Sequence, residues 1–265
     1  MKYESYIFDL YGTLVDIRTD EEKQELWEKL ALFFGYYDAH YTPQELKKRY
    51  GELVSGKEEA MRKKQSEDMQ KEDDTHEAHP EIQIEQVFAA LFEEKNVRAD
   101  EALAIHTGQF FRILSTEYIR LYEGVIPVLE ALKNAGKKVY LLSNAQRIFT
   151  EYEMHTLGIA AYFDDIFISS ECGVKKPDVR FFQMLLEKHQ IEVNRAIMIG
   201  NDAKSDIAGA KNVGLTTCYI HSNISPELPV KKMKNQQGKV MEQLIMPEAD
   251  LVLSEMDMER LLTLL

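Results

Sequence analysis

Asp9 follows the short apolar run YIF and precedes Tyr11, Gly12 and Thr13, so a carboxylate stands where a strand gives way to a turn. Such a carboxylate acts as a nucleophile when neighbouring positive charge keeps it ionised and neutralises the incoming group. Other positions supply what that chemistry needs. Ser143 and Asn144 close the run VYLL with a hydroxyl and an amide. Lys175 and Lys176, in GVKKPD, offer a fixed cation, and Asn201 and Asp202 end the run AIMIG with oxygens suited to a hard cation such as magnesium. Gly12 and Thr13 let the backbone turn sharply, so that successive N–H groups surround an anion. The expected substrate is therefore a small anion, with Gly12, Thr13 and Asn144 as its binding residues.

Residues so far apart in sequence meet only if the strands carrying them lie side by side. β-Branched and aromatic runs recur as YIFDL, KVYLLSN, DIFISS, AIMIGND, TTCYI and DLVLS, and each reads as a strand buried on both faces. Helix-length segments such as VRFFQMLLEKHQ and DIAGAKNVG separate the later runs, the second closing with Gly214 as a C-cap. This alternation predicts a doubly wound α/β fold with a parallel sheet, whose ligands bind beyond the carboxyl ends of the strands. Between Asp9 and Ser143 lie more than a hundred residues, far beyond one crossover helix. A helical module is therefore expected at 17–121, inserted into a core made of 1–16 and 122–265. Its charged run, from Lys57 to Glu77, reads as an exposed helix face or loop. Its aromatic cluster of Trp27, Phe33, Phe34, Tyr36, Tyr37 and Tyr41 reads first as packing. Tyr36, Tyr37, His40 and Tyr41 are the candidates for facing a substrate. Asp16 is expected at the junction of core and insertion, the stretch from Ser222 to Pro247 as a surface excursion, and SEMDMERLLTLL as a helix docked on the sheet.

The set FDLYGTLVD, LLSN, GVKKPD and GNDAKSDIAGAKNVG, in this order, resembles the haloacid dehalogenase (HAD) superfamily. The likeness covers about 3–17 and 124–220, and the inserted region is similar in position to the family's C1 cap. It implies that Asp9 is the nucleophile, that Ser143 hydrogen-bonds the transferred group, and that Lys176, which directly precedes Pro177, steadies the intermediate. It also implies an acidic fourth motif of Asn201, Asp202 and Asp206, with Mg2+ as cofactor and Asp9, Tyr11, Asn201 and Asp202 as its candidate ligands. Asp206 is expected as structural support or as the cap of the helix beginning near it. The chain departs from the family pattern twice. Tyr11 stands where phosphatases of the family place a second aspartate, and it takes that residue's place in the catalytic set. A phenol, with an ordinary pKa of about 10, gives up a proton but is a poor base near neutrality. Asn201 stands where many of them place a metal-binding aspartate. DLYGTL is similar to the first motif of the 2-haloacid dehalogenases, in which aspartate displaces halide without metal. GNDAKSD, with its glycine and two carboxylates, is less so, and Arg18, Arg49 and Arg62 do not make the dehalogenase arginine pattern clear. Three activities follow in order: a magnesium-dependent phosphatase of a small phosphorylated metabolite, a dehalogenase-type hydrolase, and a catalytically weak ligand-binding protein. A receiver domain would share the Asp/Lys pair but keeps short crossovers, and no GxGxxG follows the first strand to bind a dinucleotide.

Composition narrows the partners. With 32 basic and 45 acidic residues among 265, the formal charge is −13, which disfavours nucleic acid and anionic membranes. No apolar run of about 18 residues suits a bilayer, and the N-terminus lacks a leader's unbroken apolar stretch. Cys172 and Cys218 stand far apart, and His155, His189 and His221 show no ligand spacing. A cytoplasmic monomer or homodimer is expected, with no nucleic-acid or membrane partner.

Overall fold

The computed structural model describes residues 1–69, 79–234 and 240–265. Its strands are β1 (Ser5–Phe8), β2 (Val15–Thr19), β3 (Thr116–Leu121), β4 (Lys138–Ser143), β5 (Asp165–Ile168), β6 (Ala196–Gly200), β7 (Thr216–Ile220), β8 (Val230–Lys234), β9 (Val240–Leu244) and β10 (Leu251–Leu253). The central sheet runs β10-β7-β6-β1-β4-β5 and is parallel throughout. β1, in the middle, pairs with β4 on one side and β6 on the other, so Asp9, Ser143 and Asn201 emerge from adjacent strand ends. Every residue of β1 and β6 is buried, because helices cover both faces.

The core helices are α5 (Val125–Asn134), α6 (Arg147–Thr156), α7 (Ser169–Cys172), α8 (Val179–His189), α9 (Gly209–Asn212) and α10 (Met258–Leu264). Gly214 follows α9 at φ +81°, the left-handed geometry expected of a helix stop. α10 buries Met258 and Leu261, and the Leu265 carbonyl accepts from the Lys2 N–H at 2.7 Å, tying the end of the chain to its beginning.

Between β1 and β4 lies a helical layer of α1 (Gln24–Gly35), α2 (Pro43–Met69), α3 (Glu85–Glu94) and α4 (Glu101–Ser115). Its own cluster joins Trp27, Leu30 and Phe34 to Phe88, Phe92 and Phe111; Ile148 of α6 enters it and Phe149 packs against it. The run from Lys57 continues α2 to Met69; its remainder, from Gln70, lies outside the described residues.

Two features were not anticipated. The ends of the insertion, expected to be helical, form an antiparallel ribbon, β2 against β3, with Asp16 opposite Arg120. Buried Asp16 accepts from Arg120 Nε and Nη2 at 2.9 and 2.7 Å, Tyr118 Oη at 3.2 Å and Asn223 Nδ2 at 2.9 Å. Each strand is too short to signal itself, and they pair only once the intervening helices return the chain to its start. The excursion after Ser222 likewise contains an antiparallel hairpin, β8 against β9, with 235–239 outside the described residues.

Candidate active site

Buried Lys176 is the hub of the cluster. Its ammonium donates to Asp9 Oδ1 and the Leu142 carbonyl, each at 2.7 Å, and pairs with Asp206 Oδ1 at 2.7 Å. Two of these contacts are hydrogen bonds; the third is an ion pair, and Asp206 Oδ1 is a buried atom with no hydrogen-bond donor among the described residues. Burial alone would lower the lysine's pKa, but the facing Asp206 and Asp9 carboxylates outweigh it and hold the ammonium above its ordinary value. Burial raises the Asp206 carboxyl; Lys176 opposes the rise and the Asp9 charge adds to it. Two carboxylates therefore share one cation in a nearly dry site.

Asp9 Oδ1 also accepts from Ser143 Oγ at 3.3 Å, while Oδ2 accepts from Thr13 Oγ1 at 3.4 Å. The Thr13 hydroxyl lies the same distance from Asn201 Oδ1, so the Asp9 carboxylate and the Asn201 carbonyl converge on one point. The structure thus gathers Asp9, Thr13, Ser143, Lys176, Asn201 and Asp206; Lys175 instead pairs with Glu58 and Glu81.

Several expected roles are corrected. The Tyr11 hydroxyl donates to Glu153 Oε2 at 2.5 Å and lies 3.1 Å from Thr150 Oγ1, both on α6. Burial, reinforced by the Glu153 charge, pushes the phenol above its ordinary pKa. This removes the Tyr11 phenol from both the acid/base and the metal sets, because a buried phenol takes the strongest acceptor in reach and here that is a carboxylate on a helix. The Asn144 amide, expected at substrate, grips the Lys176 backbone instead: Nδ2 donates to its carbonyl at 2.9 Å and Oδ1 accepts its N–H at 2.8 Å. Nor do Gly12 and Thr13 present a ring of N–H groups, since these donate to the Val15 and Leu10 carbonyls and close the turn. Asp202 turns its carboxylate to the Lys204 and Ser205 N–H groups and caps the π-type turn Ala203–Ala208 that leads into α9, so Asn201 rather than Asp202 faces Asp9. Asp206 is not the cap; from inside that turn its Oδ2 accepts the Asp202 N–H at 2.9 Å.

Gly12 has a different role from the one expected. It sits at φ +87°, and a Cβ there would meet Asn201 Nδ2 at 2.2 Å. Gly12→Ala is expected to destabilise the protein by about 2 kcal/mol and to push Asn201 from the site. Thermal unfolding tests this; an unchanged midpoint would refute it.

Among the described residues, no group of three or more His, Cys, Asp or Glu side chains forms a metal cluster. The donors at hand are the Asp9 carboxylate and the neutral Asn201 carbonyl. Magnesium takes one or two carboxylates and completes its octahedron with water and substrate oxygens, so this pair fits it in kind, with less charge than two aspartates would bring.

The four aromatic and histidine candidates of the insertion are for the most part exposed. Tyr36 is 88% exposed, Tyr37 and His40 are exposed, and Tyr41 donates to the Leu91 carbonyl at 2.6 Å. Arg18 pairs with Glu117, Arg49 with Glu52 and Glu94, and Arg62 is exposed on α2. His155 is exposed, while His189 and His221 are half-buried beside Asp165 and Tyr219. Both cysteines are free thiols. No helix among the described residues is long and apolar enough to cross a membrane.

Sequence reasoning missed Glu153, Arg112 and the Leu142 carbonyl. A motif search has nothing to find there, because Glu153 meets Tyr11 across 142 residues and a backbone carbonyl leaves no trace in residue type.

A family model described as haloacid dehalogenase-like hydrolase matches residues 3–214. The chain is 30% identical over 107 residues to glyceraldehyde 3-phosphate phosphatase of Methanothermobacter thermautotrophicus, covering 40% of this chain and 47% of that protein. It spans about half the length of the first curated relatives it matches. A HAD phosphatase from Thermococcus onnurineus has a similar structure, with TM-score 0.55 at 17% identity over 98% of this chain and 97% of that one. A 2-haloacid dehalogenase from Pseudomonas syringae pv. Tomato gives TM-score 0.52 at 18% identity over 82% and 86%. The fold is thus common to proteins named for both chemistries.

Proposed function

Because the chain belongs to the haloacid dehalogenase-like hydrolases, we propose that it hydrolyses a small phosphorylated metabolite through a covalent Asp9 intermediate, with Mg2+ as cofactor. The observation that carries this reading is Asp9 itself, held through Oδ1 by Lys176 and Ser143 at the end of the central strand, with Oδ2 turned towards Asn201. The Asp9 carboxylate attacks phosphorus, the P–O bond to the leaving group breaks, and an aspartyl phosphate forms. Lys176 stays on Asp9 Oδ1 and offsets charge near the transferred group; the Ser143 hydroxyl donates to the same oxygen. Water then cleaves the aspartyl phosphate, releasing inorganic phosphate and restoring Asp9. Asp9 and the Asn201 carbonyl would hold magnesium, which supplies neutralising charge to phosphoryl oxygens. The helical layer serves as a lid, which suits a small soluble substrate, and the activity belongs in the cytoplasm.

With the Tyr11 phenol committed to Glu153, residue 11 does not protonate the leaving oxygen. Rate is therefore expected to depend steeply on leaving-group basicity. 4-Nitrophenyl phosphate should exceed phenyl phosphate in kcat/KM by about a hundredfold, the scale of a missing general acid. Similar rates on the two esters would place a general acid in the site and refute the expectation. Phosphate release from 4-nitrophenyl phosphate that stops with chelator and returns with magnesium supports the phosphatase reading.

The same diverted phenol favours a second reading, since halide leaves without a proton. Halide release from 2-chloropropionate that persists in chelator would replace the first reading with this one.

A further inference from the structure

The side chain that removes Tyr11 from acid/base duty belongs to a connection that the hydrolytic chemistry does not use. Glu153 lies on α6 of the core and Arg112 on α4 of the insertion, four residues before β3 begins. Arg112 Nε and Nη2 reach Glu153 Oε1 and Oε2 at 2.7 and 3.2 Å, a bidentate pair with side chains only 18% and 10% exposed. The Tyr11 hydroxyl completes the group on Glu153 Oε2, two residues beyond Asp9. The Arg112 guanidinium also lies 5.6 Å from the centre of the Tyr11 ring and 5.3 Å from that of Phe149. One desolvated cluster thus joins the turn after the nucleophile, a core helix and the last helix of the insertion.

Its place in the fold gives that cluster leverage. The chain passes between core and insertion through the β2–β3 ribbon, which begins four residues after Tyr11 and four after Arg112. Arg112, Glu153, Thr116 and Ile119 border a cavity of about 440 Å³, so the cluster adjoins open space rather than packed core on that side. A planar guanidinium fork is sensitive to angle, and a change in the tilt of α4 would break at least one of its two bonds to Glu153.

We propose that Arg112 and Glu153 are positioning residues which, through Tyr11, lock the end of the insertion to the turn that carries Asp9, so that the two move together. The functional meaning of the lock rests on Asp9 being the reactive group; the lock itself does not.

Hydrogen exchange followed by mass spectrometry on the full chain tests it without turnover. Tyr11→Phe removes one hydroxyl and keeps the ring. It is expected to speed exchange about tenfold both in the turn at 9–16 and across the hinge at 109–121, with strands β6 and β7 unchanged. Arg112→Met should do the same, and the double variant should go no further, because both changes break one network. Arg112→Lys, which keeps the charge and loses the fork, should fall between. The proposal is overturned if Tyr11→Phe loosens its own turn alone, if the two effects multiply, or if exchange rises throughout the sheet. On 4-nitrophenyl phosphate, Tyr11→Phe should lower kcat more than it raises KM. Absence of turnover in the parent protein would count against the phosphatase reading and leave the exchange result to judge the lock.

Discussion

With Asp9 as the proposed nucleophile, Asp9→Asn is expected to remove turnover and to leave the fold at least as stable as before. The amide matches the carboxylate in size and still offers Oδ1 to Lys176 and Ser143, which hold Asp9 at 2.7 and 3.3 Å. What it lacks is nucleophilicity, and loss of a covalent nucleophile lowers kcat by a factor of about a thousand or more. The stability effect runs the other way. Asp9 and Asp206 now share one ammonium, and the Asp9 charge helps to raise the Asp206 carboxyl. With position 9 neutral, Lys176 and Asp206 become a balanced pair, and a gain of up to about 1 kcal/mol is expected, as where a site is built for chemistry rather than stability. Phosphate release and thermal unfolding of the same sample check both halves. Retention of more than about a hundredth of the parent rate would mean that another group attacks.

Lys176→Met should damage both activity and stability. Methionine matches the stem of lysine but leaves two buried carboxylates and the Leu142 carbonyl without their shared ammonium. Removing one partner of a buried pair costs about 3–5 kcal/mol, or about 10 °C in midpoint for a chain of this size. The pH dependence has a definite sign. Asp206 has its folded pKa raised, chiefly by burial, with Lys176 opposing the rise. A carboxyl raised on folding contributes stability below its unfolded pKa of about 4, and that contribution is lost as pH rises through the folded value. Deleting Lys176 raises the folded value further, so the variant's midpoint should fall more steeply than the parent's between about pH 5 and pH 8. A variant equally destabilised at both pH values would show that Asp206 does not carry the effect. Asn144, which holds the Lys176 backbone at both its N–H and its carbonyl, is the residue on which that placement depends.

Much of this arrangement was legible in residue order. Buried runs without alternation signal strands covered on both faces, and a polar residue at the end of each such run marks a loop at the rim of the sheet. Asp9 and Asn201 follow β1 and β6, Ser143 ends β4, and the sheet sets those strands side by side. Residue order left Lys175 and Lys176 equivalent; the family resemblance, which implies the lysine before Pro177, pointed to Lys176, and the structure buries Lys176 against Asp9 and Asp206 while Lys175 pairs with Glu58 and Glu81. The ribbon was not legible, because VDIRT and TEYIRL are ordinary short segments until they pair.

By itself the sequence determined the doubly wound sheet, the long helical stretch between its first two core strands, and the placing of Asp9, Ser143, the Lys175/Lys176 pair and the Asn201/Asp202 pair at strand ends or in loops of the core. Those follow from hydrophobic patterning and chain connectivity, which act along the whole chain. Tertiary structure alone decided which way each polar side chain turned. Tyr11 faces Glu153, Asn144 faces the Lys176 backbone, Asp202 caps a helix and Asp206 reaches Lys176. Each of those choices was settled by the strongest hydrogen-bonding partner within a few ångströms after burial, and sequence spacing carries no record of that distance.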